Sequence, residues 1–250
     1  MTRYCLTIEY EGTNYVGWQR QKTGASIQQE LEEAVEAFCG EKTLVQGGGR
    51  TDSGVHALGQ VAHVDIIRET VGSTVRDALN AHLRPSPISV LKAQAVSNRF
   101  HARFSAQARS YIYRIINRRA PLTTERHLAW HVSTPLDTGS MQLAAQRLIG
   151  KHDFSTFRAS HCQAKSPVKT LTTINVNRVG ELIEIAASAP SFLYHQVRNF
   201  VGTLRLVGEG KWTADDISDA LEACDRKQGG PTAPPEGLFL TQITYPPNIF

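Results

Sequence analysis

The sequence predicts an α+β protein of two α/β halves, with largely antiparallel sheets joined across a central cleft and helices on the outer faces. Three observations predict it. Segments alternating with period two are interleaved with segments of helical period along the whole chain. The spacing between strand-like segments is short, which favours antiparallel pairing over long parallel crossovers. No low-complexity stretch or long linker interrupts the 250 residues. The break falls near Ser105 to Ala108, giving an N-terminal domain at 1–105 and a C-terminal domain at 106–250 that completes the cleft.

In the first half, Arg3 to Tyr10 alternates strictly, with Tyr4, Leu6, Ile8 and Tyr10 on one side, as a half-buried strand does. Gly12 to Gln21 is a loop holding Trp18. Ser26 and Gln29 form a capping box at the start of a helix. Ile27, Leu31, Ala34, Val35 and Phe38 follow at helical spacing, and Gly40 ends the run. Gln60 to Ile67 reads as a strand. Thr74 to Leu83 reads as a helix stopped by Pro85 and Pro87, and Ile88 to Val96 as another strand.

The second half repeats the rhythm. Ser110 to Asn117 is a strand, and Thr138 to Ile149 a helix closed by Gly150. Leu171 to Arg178 and Glu181 to Ser188 form a hairpin across Val179-Gly180. Phe192 to Val207 is a helix with Leu193, Val197, Phe200 and Leu204 as its apolar stripe. Thr213 caps a further helix through Cys224, and Gly237 to Tyr245 is a closing strand.

Composition excludes several classes. With 41% hydrophobic and 20% charged residues the chain is of ordinary globular type. No apolar run reaches the roughly 18 residues that span a bilayer, and the strand pattern at Arg3 leaves no secretory leader, so a cytoplasmic, membrane-free protein is expected. Cys5, Cys39, Cys162 and Cys224 make no Cys-x-x-Cys pair, and no His-x-x-x-His pair lies in a helical pattern. Neither metal nor cofactor is therefore expected. Charge is more informative. The net charge is only +4, yet no acidic residue lies between Asp77 and Glu125, where eight arginines and lysines fall, or between Asp153 and Glu181. Such segregation predicts a positive face for a polyanion; solvated strand edges and helix faces are the plainer reading.

The densest motif is Gly47 to Ala57, Gly-Gly-Gly-Arg-Thr-Asp-Ser-Gly-Val-His-Ala. Four glycines in eight residues let another molecule approach the backbone closely. Arg50 stands two residues before Asp52, and a guanidinium beside a carboxylate favours its ionised form. Asp52 is thus either a charged nucleophile or base with space in front of it, or a plain turn residue. The loop is neither a Walker A nor a dinucleotide fingerprint. Arg198 and Arg205, seven apart, share the face opposite the apolar stripe, and Tyr111 and Tyr113 share one face of their strand. A tyrosine exposed beside basic residues can stack on a base; otherwise it is core.

Together these stretches resemble the TruA family of tRNA pseudouridine synthases over almost the whole length. The resemblance lies in Glu9 to Gln21, Gly49 to Ala57, Phe100 to Arg103, Ala108 to Tyr113, Gly150 to Phe154, Val197 to Asn199 with Gly202, and Gly237 to Leu240. Lys169 stands where many members carry arginine. The resemblance implies the pseudouridine synthase fold, Asp52 as the catalytic aspartate, and Tyr111 as the active-site tyrosine that stacks on the flipped uracil. It further implies substrate contacts by Arg50 and by Arg198, the latter paired with Asp52. Its implied substrate is the anticodon arm of tRNA at uridines 38, 39 and 40, and its implied state a homodimer needing no cofactor. Alternatives are a synthase for other tRNA uridines, a non-catalytic RNA-binding protein on the same scaffold, and an Asp-dependent hydrolase. The hydrolase would need a second carboxylate, for which only Asp65 lies nearby in sequence.

Overall fold

The computed structural model describes residues 1–160 and 162–249. In chain order the first elements are β1 (Thr2–Tyr10), α1 (Ile27–Cys39), β2 (Gln46–Gly47), β3 (His56–Ile66), α2 (Gly72–His82) and β4 (Ile88–Val96). Then come β5 (Ala108–Asn117), β6 (Trp130–Val132), α3 (Thr138–Gln146), β7 (Gly150–Asp153), β8 (Val168–Leu171), β9 (Thr173–Val179) and β10 (Leu182–Ala189). α4 (Gln196–Gly208), α5 (Ala214–Glu222) and β11 (Leu238–Thr244) complete the chain. The fold is mixed α and β with mostly antiparallel strand pairs, as the sequence predicts. It forms two compact units: residues 1–109 with 239–250, and residues 110–238.

The first unit holds strands in the order β4-β1-β3-β11, with β2 on β3. Register explains its two faces. Leu6 sits opposite Ala62 and Ala93, whereas Thr7 sits opposite Val61 and Lys92. Residues directly opposite share a face, so Tyr4, Leu6, Ile8, Ala62 and Val64 form an apolar face and are fully buried. The Tyr4 hydroxyl donates to the carbonyl of Thr70 just before α2, and α2 packs along β4 with α1 beside it. The helical layer therefore covers that face. The opposite face, with Thr7, Lys92, Gln94 and Thr241, lines an open depression.

Ser26 caps α1 by accepting from the Gln29 amide, and Gly40 closes it at φ 75. Only half of the expected capping box forms, because the Gln29 side chain donates to Glu33 instead, 2.8 Å away. β3 starts at His56, four residues before the expected Gln60, and a register shift between Ile8 and Tyr10 marks a bulge there. The closing strand, counted with the second half from sequence, belongs to the first unit: Phe239 and Leu240 pair in parallel with His56 and Ala57 of β3. Parallel pairing leaves no local turn signal to read.

The second unit holds β5, β10 and β9 side by side, with β6 parallel to β5 and a separate β7–β8 pair. The predicted hairpin is present, turning at Gly180 with φ 61. β9, however, starts at Thr173; the chain breaks after Leu171, where the Thr172 amide turns to the carbonyl of Ser188. α3 stops at Gln146, three residues early, and Gly150 at φ 118 opens β7. α4 begins at Gln196, not Phe192, because the Gln196 side chain accepts from the Leu193 amide and His195 is left-handed at φ 61. Phe154, Phe157 and Phe200 pack edge-on at 5.0–6.4 Å as the aromatic centre of this unit. α4 is buried on nearly every side, and Arg198 and Arg205, half-buried, lie on the one stripe that is not.

Candidate active site

The glycine loop of the first unit is anchored at both ends and in the middle. The Gly48 amide donates to Val61 at 2.7 Å. Gln60, buried at a position where the strand pattern calls for an apolar residue, clamps Gly49 from both sides: its Nε2 donates to the carbonyl at 2.7 Å and its Oε1 accepts from the amide at 3.2 Å. The Arg109 guanidinium donates to the Gly48 carbonyl at 2.8 Å. Thr51 is buried, its hydroxyl 2.8 Å from that of Tyr10. These bonds tie Gly48, Gly49 and Thr51 ahead of Asp52.

The residues after it are held by the loop at 12–18. The Ser53 hydroxyl and Gly54 amide both donate to the Tyr15 carbonyl, and the Trp18 amide of the same segment donates to Thr51 on the near side of Asp52. The His56 Nδ1 accepts from the Gly12 amide at 3.0 Å, and the His56 ring stacks on Phe239 at 4.6 Å. Gly12 and Gly17 are glycines for a physical reason. A Cβ on Gly12 would overlap the Val55 carbonyl, and Gly17 sits at φ 106 with its Cβ direction filled by Thr51 and Asp52 backbone. The opening motif and the glycine loop, separated in sequence by residues 22–46, are thus one structural piece. Its apex is a turn in which the Asp52 carbonyl accepts from the Val55 amide at 3.1 Å. Asp52 is half-exposed, Arg50 exposed. The turn reading and the functional reading of Asp52 are therefore compatible: the turn supplies the rigidity that presents the carboxylate.

Tyr111 and Arg198 belong to the second unit. Tyr111, on β5, meets Phe192 edge-on at 5.3 Å. Tyr113 is core: its hydroxyl donates to Pro234, it packs against Trp130, and burial pushes its pKa well up. Both tyrosines are buried, Tyr111 keeping 8% of its surface open and Tyr113 none. Arg205 is likewise structural, ion-paired with buried Glu209 and lying over Trp130 at 5.1 Å. Arg198 is half-buried and held from α4 by its Nε, which donates to Ala233 at 2.8 Å, while the Ala233 amide returns a bond to the Arg198 carbonyl. Around it, burial and the charges of Arg198 and Arg226 hold His195 down at about 4, so it is neutral at physiological pH.

Sequence reasoning missed Gln60 and Arg109 as supports of the loop. A glutamine at a core-facing strand position was the available signal for the first; nothing local marked the second. Among the described residues, no three His, Cys, Asp or Glu side chains are grouped to hold a metal, and no helix is long and apolar enough to cross a membrane.

Comparison with known proteins adds independent findings. A family model described as tRNA pseudouridine synthase matches residues 6–105 and 144–246. The chain is 59% identical over 245 residues to "tRNA pseudouridine synthase A" of Paramagnetospirillum magneticum, covering 98% of this chain and 96% of that protein. It is 59% identical over 246 residues to the protein of that name from Rhodospirillum rubrum, covering 98% and 88%. Against the Parvibaculum lavamentivorans protein of that name the identity is 56% over 245 residues, covering 98% and 100%. Among solved structures, a chain of a Cbf5-Nop10-Gar1 complex matches at 11% identity and TM-score 0.33, over 94% of this chain and 57% of that one, a likeness too distant to carry weight.

Proposed function

The chain belongs to the tRNA pseudouridine synthase family, and from that membership we propose that Asp52 is the group through which it isomerises uridine in tRNA to pseudouridine. The reaction breaks the N1–C1′ bond, turns the uracil and joins C5 to C1′; the proton lost from C5 balances the one gained at N1. No electron or phosphoryl group is transferred. What it needs is a fixed carboxylate at the sugar–base junction, acting either as nucleophile or as the base that removes the 2′ proton. The single observation that carries this reading is the tied glycine loop, in which Gln60, Arg109 and the 12–18 segment immobilise the backbone on both sides of Asp52. A turn serving only to reverse the chain would need none of these ties.

Supporting roles follow from side-chain chemistry. Tyr111 stacks on the displaced uracil, Arg50 holds a phosphate or helps open the stack, and Arg198, in contact with the substrate, pairs with Asp52 and keeps it ionised. Extrusion of the base costs a few kcal/mol, least where the stem is already open. The anticodon arm, at uridines 38, 39 and 40, is the proposed target, and a homodimer the proposed working state.

The test is a pseudouridine map of an unmodified tRNA transcript after incubation with the wild-type protein and with Asp52→Asn. Product from the wild type alone, at anticodon-arm positions, is expected. Equal product from both proteins would show that Asp52 is not the catalytic group. No product from the wild type on several tRNAs, despite binding, would leave an RNA-binding protein.

A further inference from the structure

Phe104 is the most exposed Phe, Tyr or Trp side chain among the described residues, 77% open to solvent, and it is not on a loose loop. The turn from His101 to Ser105 is closed by a backbone bond from the Ser105 amide to the His101 carbonyl and by the Ser105 hydroxyl accepting from the His101 amide at 3.0 Å. The His101 Nδ1 accepts from the amides of both Arg103 and Phe104, at 3.2 and 3.3 Å. Its ring is packed between His63, at 4.7 Å, and Phe104, at 4.3 Å.

The turn is also bolted to the body of its unit. The Ala102 amide donates to the buried His63 Nδ1, and the Ala102 carbonyl accepts from Tyr245 at 2.6 Å. The Arg103 carbonyl accepts from Arg109, whose guanidinium also holds Gly48 of the Asp52 loop. A ring held so firmly in water is preorganised, so binding on it forfeits little side-chain entropy.

Charge selects the occupant. The Arg103 guanidinium lies over the Phe104 ring at 5.8 Å, and Arg99 is exposed nearby in sequence. The carboxylate tied into this corner, Asp65, is neutralised by a two-pronged Arg3, which also holds the Asn98 and Phe100 carbonyls. An aromatic face beside guanidinium groups suits a nucleobase with its adjoining phosphate.

We propose that the His101–Ser105 turn presents Phe104, flanked by Arg103, as a stacking platform for an unpaired base of the RNA substrate other than the target uridine. The proposal rests on the RNA-modifying reading above and adds a second contact to it, on the element that Arg109 joins to the Asp52 loop.

The experiment measures Kd for an unmodified tRNA transcript and the kcat and KM of pseudouridine formation, for wild type, Phe104→Ala and Phe104→Trp, with thermal melting and sedimentation as controls. Loss of one stacked base predicts that Phe104→Ala raises Kd and KM about 5- to 100-fold with kcat changed little, and that Phe104→Trp restores both. Unchanged Kd in Phe104→Ala overturns the proposal, as does equal impairment of the two variants. A shift in oligomeric state on Phe104→Ala also overturns it, making a second copy of the chain the occupant. A wild type that binds tRNA without forming pseudouridine refutes the catalytic reading alone, and Kd still decides the platform.

Discussion

At φ 106, Gly17 occupies left-handed backbone space, and an added Cβ would lie 2.5 Å from the Thr51 carbonyl oxygen and 3.0 Å from the Asp52 carbonyl carbon. Both neighbours are backbone, so no rotamer change relieves the overlap; the loop itself must move. Gly17→Ala is therefore expected to cost roughly 2–4 kcal/mol, combining the left-handed penalty with overpacking. Pseudouridine formation should fall further than the change in folded fraction explains, since the displaced loop carries Asp52, the proposed catalytic group. Urea unfolding and steady-state kinetics on the same preparation check this, and full activity at reduced stability would show that the 12–18 segment does not position Asp52. Legibility at this scale was uneven. Asp52 and Arg50 announced themselves through glycine density, a local signal. Gln60 and Arg109 did not, because they act on backbone carbonyls 11 and 61 residues away in sequence.

Between α4 and the segment at 229–234 the chain makes a comparable lock. Asn199 is buried; its Nδ2 donates to Phe157, and its Oδ1 accepts from Thr232 at 2.6 Å and Arg226 at 3.2 Å. Thr203 accepts from the Gly230 amide, and a Cβ on Gly202 would overlap the Pro231 carbonyl. That segment carries Ala233, whose carbonyl fixes the Arg198 guanidinium. Gly202→Ala should thus lower stability by roughly 2–4 kcal/mol and, if Arg198 is the substrate contact proposed above, raise KM for tRNA by misplacing it. Gly180→Ala is the control: it has the same added methyl in open space at φ 61, an expected cost of about 1 kcal/mol, and unchanged kinetics. Equal effects of the two on KM would refute the lock. Elements with repeating periodicity, such as α1, β4 and the β9–β10 hairpin, were legible in sequence. Strands β2, β6, β7 and β8, of two to four residues, were not, because such lengths hold no measurable period. The start of α4 was lost for a different reason: Leu193 fits the helical stripe, but its amide is taken by the Gln196 side chain.

At the scale of the whole molecule, the buried imidazoles set how the fold responds to acid. Burial, with Arg3 and His101 adding to it, holds His63 down at about 4, and His195 lies at about the same value; His101 is lowered too. Unfolded histidine titrates near 6.5. Between about pH 6.5 and 4 the unfolded chain therefore binds more protons than the folded one, so stability must rise with pH across that window. The contribution of the neutral rings is complete above the unfolded value and is lost as pH falls towards the folded one. Asp65 behaves differently: the Arg3 hydrogen bonds lower its carboxyl below 3.8, so its contribution persists to more acidic pH and is lost only below that range. Acid unfolding should consequently show a histidine limb first and a carboxylate limb later. From pH 7 to pH 5 stability should therefore fall, with His63, the fully buried ring, contributing most. His63→Asn retains a side-chain acceptor for the Ala102 amide without a titrating group, so it should flatten that slope by nearly one proton while lowering stability at pH 8. Urea unfolding at half-unit pH steps measures both slopes. A variant slope equal to that of the wild type would mean that His63 takes up its proton in the folded protein without opposition. In that case the amide it holds, and the turn that presents Phe104, would have to rearrange at mildly acidic pH while the fold stays intact.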